Sequence, residues 1–202
     1  MESLFRPRSV AVIGASTNPA KIGYRIVENV VRSGYSGGIY PINPKGGEIL
    51  GLPVHTDVRE VEGPIDVAVI AIPATGVIDE VEACAANGVK HLVVVTSGFS
   101  EIGNLDAERQ ITRLAQNHGM RVLGPNVFGI YSAASSLDAT FGPGGIAPGH
   151  VAIVTQSGAL GIAMIGKTAT ESVGLSALVS VGNKSDVDEA DLLEYLGRDE
   201  RT

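Results

Sequence analysis

The sequence predicts an α/β fold built on a doubly wound parallel sheet, and three observations carry that prediction. Five short apolar, β-branched runs alternate with helical spacing over residues 10–123. The run Asp66-Val67-Ala68-Val69-Ile70-Ala71-Ile72 is apolar almost throughout, as a parallel strand covered on both faces must be. The 26 glycines and 10 prolines fall mostly between the periodic segments and form no low-complexity tract.

The first strand, 10–13, stops at Gly14, and helical spacing starts at Ile22 and repeats at Ile26, Val27, Val30 and Val31. Gly14, Ala15 and Ser16 between them carry little side chain, so a phosphate can approach the backbone while the next helix points free N–H groups at it. A tight first turn also serves chain reversal alone, but the rest of the chain favours a ligand. The turn is not the dinucleotide fingerprint: Ser16 stands at its second glycine position, and Asn18 and Pro19 lengthen the loop. The acid that would bond a ribose is missing too. After the second strand, 38–42, the chain reads Asn43-Pro44-Lys45-Gly46-Gly47, a cation where a nicotinamide enzyme keeps an acid. Such a site prefers an adenosine carrying extra phosphate, and NADP and coenzyme A (CoA) both fit. Lys45 has a plainer reading as solvated surface.

Residues 48–55 read as an irregular crossing, followed by a short helix near Val58. Pro73 ends the third strand, Gly88 stops a helix over 76–87, and residues 90–95 form the fourth strand. A polar helix over 105–118 precedes the short strand 120–123. Ligands of such sheets bind beyond the carboxyl ends of the strands, so the loops 14–16, 43–45, 73–75 and 96–98 are expected on one rim. Gly124-Pro125-Asn126 marks a boundary. It divides the chain into a first domain over 1–125, a loop-rich connector over 126–148 and the first part of a second α/β unit over 149–202. In that unit a strand over 150–154 meets Ser157 and Gly158 at the start of a helix, where Ser157 is either a plain N-cap or part of an anion site. A further strand over 175–181 and a helix over 188–196 follow. Two strands are too few for a stable sheet, so further sequence or a partner is expected to complete it.

With 202 residues and 44% hydrophobic content the chain can bury a substantial core, and a net charge of -7 argues against nucleic-acid and anionic-membrane surfaces. Cys84, the single cysteine, falls in the series Val77, Val81, Cys84 and reads as core; its isolation fits a reducing cytoplasm. No run approaches the ~20 apolar residues of a membrane span. His55, His91, His118 and His150 lack metal-ligand spacing, and no metal site is expected.

Taken together, the stretches from Val10 to Ser16 with Lys21-Ile22-Gly23, Tyr40-Pro41-Ile42-Asn43-Pro44-Lys45, Val69-Ile70-Ala71-Ile72-Pro73-Ala74, Thr96-Ser97-Gly98-Phe99, Gly124-Pro125-Asn126, Gln156-Ser157-Gly158-Ala159-Leu160 and the segment from Val181 to Asp188 resemble a known family. It is the CoA-binding part of the nucleoside-diphosphate-forming acyl-CoA synthetases, the group that includes succinyl-CoA synthetase alpha subunits. The resemblance spans almost the whole chain. It implies a Rossmann-like CoA-binding domain followed by the opening of a flavodoxin-like ligase domain. It also implies that Gly14, Ala15, Ser16, Thr17 and Lys45 contact CoA, with Lys21, Ile22, Gly23, Asn43, Ile72, Pro73 and Ala74 in the same cofactor-binding set. Val95, Thr96 and Ser97 would lie along the pantetheine arm. Ser157 and Gly158 would face a phosphate carried by a catalytic histidine, and Asn126 is either a turn residue or a polar group near the CoA thiol.

Two departures stand out. Val127 and Phe128 follow the Gly-Pro-Asn motif, where the family usually has cysteine, and none of the four histidines sits in the Gly-His-Ala-Gly context of the phosphorylated residue. The chain is therefore expected to bind CoA without completing the reaction. ATP or ADP and Mg would enter only through a missing domain or an ATP-grasp beta partner, and a homo-oligomer stays open. Two other functions remain: a CoA- or acyl-CoA-sensing module like that fused to some protein acetyltransferases, and an NADP-binding domain.

Overall fold

The computed structural model describes residues 1–202. A short N-terminal helix, α1 (Glu2–Phe5), leads into β1 (Ser9–Ile13), α2 (Ile22–Arg32) and β2 (Gly38–Ile42). The two-residue strands β3 (Glu48–Ile49) and β4 (Leu52–Pro53) pair antiparallel, and a 3-10 turn covers Val58–Glu60. Then come β5 (Val67–Ile70), α3 (Val77–Ala86), β6 (His91–Val94), α4 (Leu105–Asn117) and β7 (Arg121–Leu123). The strands form a parallel sheet of order β2-β1-β5-β6-β7, the doubly wound arrangement expected. The chain winds outward from β1 to β2, then returns to the other side of β1 for β5, so the switch point lies between β1 and β5.

Alternation along β1 explains why both faces bury. Val10 and Val12 pack with Ile26, Val27 and Val30 of α2, whereas Ala11 and Ile13 pack with Val77, Val81 and Cys84 of α3. Cys84 is fully buried, and burial pushes its thiol well above the ordinary value, as a core residue requires. At the opposite, amino-terminal edge, Asp66 accepts hydrogen bonds from Lys90 Nζ at 2.7 Å and from the Arg8 N–H at 2.8 Å. The crossing at 48–55 is less irregular than expected, because the β3–β4 hairpin and a bridge between Ile42 and His55 order it.

The connector over 126–148 is not loop-rich. It holds β8 (Gly129–Ser132) and β9 (Leu137–Thr140), which pair antiparallel and join β10 (Pro148–Thr155) and β11 (Leu175–Ser180) in a sheet of order β10-β11-β8-β9. The second unit therefore has four strands rather than two. Between β10 and β11 lies α5 (Gly158–Thr170), and α6 (Glu189–Leu196) follows β11. Strands β8 and β9 escape sequence reading because their stability is tertiary: β8 pairs with β11, and α2 packs over β9, where the Asn29 amide donates to the Thr140 carbonyl at 3.0 Å. One apolar cluster runs through both sheets, from Val10 and Val69 to Ile130, Ala139 and Val179. No helix is long and apolar enough to cross a membrane.

Candidate functional site

The mouth of the first βα unit opens as a cleft of about 720 Å³ at the switch point. Glycine makes it possible. Gly14 has φ +89°, and a Cβ there would stand 2.4 Å from the Ala71 carbonyl oxygen; a Cβ on Gly23 would stand 2.0 Å from the Gly14 carbonyl oxygen. Helix α2 therefore starts directly against the turn that feeds it. The Gly14 and Ala15 N–H groups both donate to the Ile42 carbonyl, at 3.0 and 3.2 Å, and the Asn43 amide donates to the Ala15 carbonyl at 2.7 Å. The first turn is thus pinned from the end of β2.

At the start of α2 the N-cap, Lys21, makes no side-chain capping bond, and no acid lies in the first turn. The N–H groups of Ile22, Gly23 and Tyr24 have no intrahelical acceptor and carry the positive end of the helix dipole. An anion is the matching ligand. Opposite, Ile13, Ile42, Ala71, Ile72 and Pro73 supply an apolar wall, and Ile22 is 45% exposed at the mouth. Of the sixteen lining residues only Lys21 and Glu80 are charged. Burial, with Asp57 adding to it, raises the Glu80 carboxyl above its ordinary value.

Gly14, Ala15, Ser16, Lys21, Ile22, Gly23, Asn43, Ile72 and Pro73 come together in this cleft. Thr17, Lys45, Ala74, Val95, Thr96 and Ser97 lie outside its lining. Lys45 is exposed just past the lining residue Pro44, its N–H donating to Asn43 Oδ1 at 2.9 Å. Thr96 is buried, and its hydroxyl donates to the Ile72 carbonyl at 2.7 Å, which positions the cleft wall. Seven lining residues stand outside the predicted cofactor-binding set: Ile13, Ala20, Ile42, Pro44, Thr56, Ala71 and Glu80. Glu80 looks on paper like any acid in the first turn of a helix, and Thr56 reaches the cleft only through the bridge that draws His55 to Ile42.

Asn126 belongs to a second polar cluster. Its N–H donates to the Thr96 carbonyl at 3.0 Å, and its amide donates to Asn183 Oδ1 at 3.3 Å. The Asn183 amide in turn donates to Glu101 at 2.6 Å and to Glu108 at 2.8 Å. A Cβ on Gly182 would stand 2.2 Å from the Pro125 carbonyl oxygen, so the loops after β6, β7 and β11 interlock where the two sheets meet. Ser157 caps α5, accepting from the Leu160 N–H at 3.3 Å, and Gly158 packs on Phe128. Ser157 is thus the N-cap of α5.

Residues 8–133 match the model of the CoA binding domain, and residues 148–202 match that of the succinyl-CoA ligase like flavodoxin domain. The alpha subunit of the acetate–CoA ligase [ADP-forming] I of Pyrococcus furiosus is 50% identical over 208 residues, covering 100% of this chain and 45% of that subunit. The acetate–CoA ligase [ADP-forming] of Methanocaldococcus jannaschii is 43% identical, covering 97% of this chain and 28% of that enzyme. Among solved structures, the dinucleotide forming acetyl-coenzyme A synthetase 1 of Ca. Korarchaeum cryptofilum, in complex with phosphate and ADP, superposes with a TM-score of 0.98 at 48% identity, covering 100% of this chain and 43% of that one. The chain thus spans less than half the length of these relatives. With an anion-directed turn at the switch point and a match over residues 8–133, the chain belongs to the CoA-binding domain family and corresponds to the CoA-binding portion of the ADP-forming ligase alpha subunits.

Proposed function

We propose that this chain is the CoA-binding part of an ADP-forming acyl-CoA synthetase, which interconverts acyl-CoA, ADP and phosphate with acid, CoA and ATP. One observation carries the reading: the uncapped start of α2 stands against a glycine turn that lacks both the dinucleotide fingerprint and its ribose-binding acid. The pyrophosphate of CoA would sit on the N–H groups of Ile22 and Gly23, beside Lys21. Its adenosine would rest on the apolar wall, with Lys45 within reach of the 3′-phosphate. The pantetheine arm would run past Ala74 and the loop at Val95, Thr96 and Ser97 toward Asn126. Gly98 supports that path, since a Cβ on it would stand 3.1 Å from Ala74 Cβ.

This chain's share of the chemistry is to bind and orient CoA so that its thiol meets an acyl phosphate. The phosphohistidine would come from further sequence, and nucleotide from an ATP-grasp subunit or domain. The P. furiosus relative, named as an alpha subunit, supports such a partner. Titration calorimetry with CoA, dephospho-CoA, NADP and NAD in one buffer tests the reading. Selective binding of CoA is expected; binding of NADP without CoA would overturn it.

A further inference from the structure

The cleft has two chemically different ends. Lys21 and the start of α2 lie on the sheet face packed by Ile26 and Val27, whereas Glu80 sits on α3, the helix that packs the opposite face through Val77, Val81 and Cys84. A ligand spanning the switch point therefore meets a cation and free N–H groups at one end and a lone carboxyl at the other. The surrounding acids are occupied: Asp57 holds Arg59, and Glu60 accepts from Thr56 Oγ1 at 2.6 Å. Glu80, half-buried in the cleft, makes no hydrogen bond or ion pair, and Asp79 beside it, which also makes none, is exposed to water. Burial, with Asp57 adding to it and Arg59 opposing, holds the Glu80 carboxyl above the ordinary value. An acid in a cleft shaped for a polyanion needs a reason. The first-turn dipole accounts equally for Asp79 next to it, which is exposed and outside the cleft.

Resting on the CoA reading above, we propose that Glu80 reads the base of the ligand: a carboxylate oxygen accepts a hydrogen bond from the exocyclic amine of an adenine seated against Ile72 and Pro73. Adenine offers a donor there. Hypoxanthine, of nearly the same size, offers a carbonyl oxygen that would face the carboxylate acceptor to acceptor. Phosphate contacts supply affinity without regard to the base, so discrimination falls to Glu80.

The test is calorimetric titration of the chain and of its Glu80→Ala and Glu80→Gln variants with CoA and its hypoxanthine analogue, at about pH 8, where an ordinary carboxyl is ionised. The unaltered chain should bind CoA about tenfold or more tighter than the analogue, the value of one charge-assisted hydrogen bond. Glu80→Ala should bind both weakly and about equally. Glu80→Gln, whose amide turns to offer either donor or acceptor, should bind both well. A dipole role alone would change stability and leave the ratio of the two affinities where it was. Equal binding of both ligands by the unaltered chain, or an unchanged ratio in Glu80→Ala, overturns this proposal alone. Binding of neither ligand overturns the CoA reading and this proposal with it.

Discussion

Replacing Gly23 by alanine tests the closeness of α2 to the turn that feeds it. The new methyl would stand 2.0 Å from the Gly14 carbonyl oxygen and 3.1 Å from Ala15 Cα. A comfortable contact is ~3.5 Å, so the methyl is about 1.5 Å too close, and its obstacle is backbone that no rotamer change can clear. Two effects oppose. Alanine gains up to ~1 kcal/mol over glycine within a helix, whereas overpacking against a fixed neighbour costs ~1–3 kcal/mol. Gly23 lies at the second helical position, where the propensity gain is smallest, so the clash wins and a net loss of about 1–2 kcal/mol is expected by urea unfolding. The larger effect falls on the ligand. Displacing the start of α2 by about an ångström breaks one or two charge-assisted hydrogen bonds worth ~1.5–3 kcal/mol each, and CoA should bind at least ~10-fold more weakly. Gly88→Ala is the control. Its φ of +74° strains alanine, but nothing lies within 4 Å of the new methyl, so it should cost stability and leave CoA binding unchanged. A Gly23→Ala variant that is stabilised and still binds CoA normally would refute the close approach.

Three further outcomes follow from the geometry. Lys45→Ala should lower affinity for CoA about fivefold and leave dephospho-CoA nearly unaffected, as titration of both ligands will read; equal losses would remove the 3′-phosphate contact. Burial opposes ionisation of Asp66, but the hydrogen bonds from Lys90 and Arg8 outweigh it and hold the carboxyl at about 2, against 3.8 unperturbed. A depressed carboxyl stabilises the fold above its unfolded value and loses that contribution as pH falls through the folded one. Urea unfolding should therefore show Asp66→Asn less stable by ~2 kcal/mol near neutrality, with the gap closing between about pH 4 and pH 2; a gap independent of pH would count against the assignment. Thr96→Val keeps the shape but leaves the Ile72 carbonyl unpaired, so it should cost ~1 kcal/mol of stability and a few-fold in CoA affinity. Lost CoA binding at unaltered stability would make Thr96 a ligand contact instead.

The sequence by itself determined the first sheet and the location of the cleft. Both are local matters: β-branched runs covered on two faces leave continuous apolar stretches such as 66–72, and a turn with φ +89° where a Cβ would stand 2.4 Å from the Ala71 carbonyl oxygen, as at Gly14, admits only glycine. Tertiary structure decided the rest. The segments 129–132 and 137–140 are too short and too mixed to announce themselves as strands, and they become β8 and β9 because β11 offers an edge and α2 a cover. Asn43 and Thr96, placed by resemblance in the cofactor-binding set, also donate to the Ala15 and Ile72 carbonyls, partners that only the three-dimensional structure reveals. Glu80 shows the same limit from the other side. An acid in the first turn of a helix is ordinary in one dimension, and it becomes the one carboxyl lining the cleft only when the switch point brings the helices of opposite faces together.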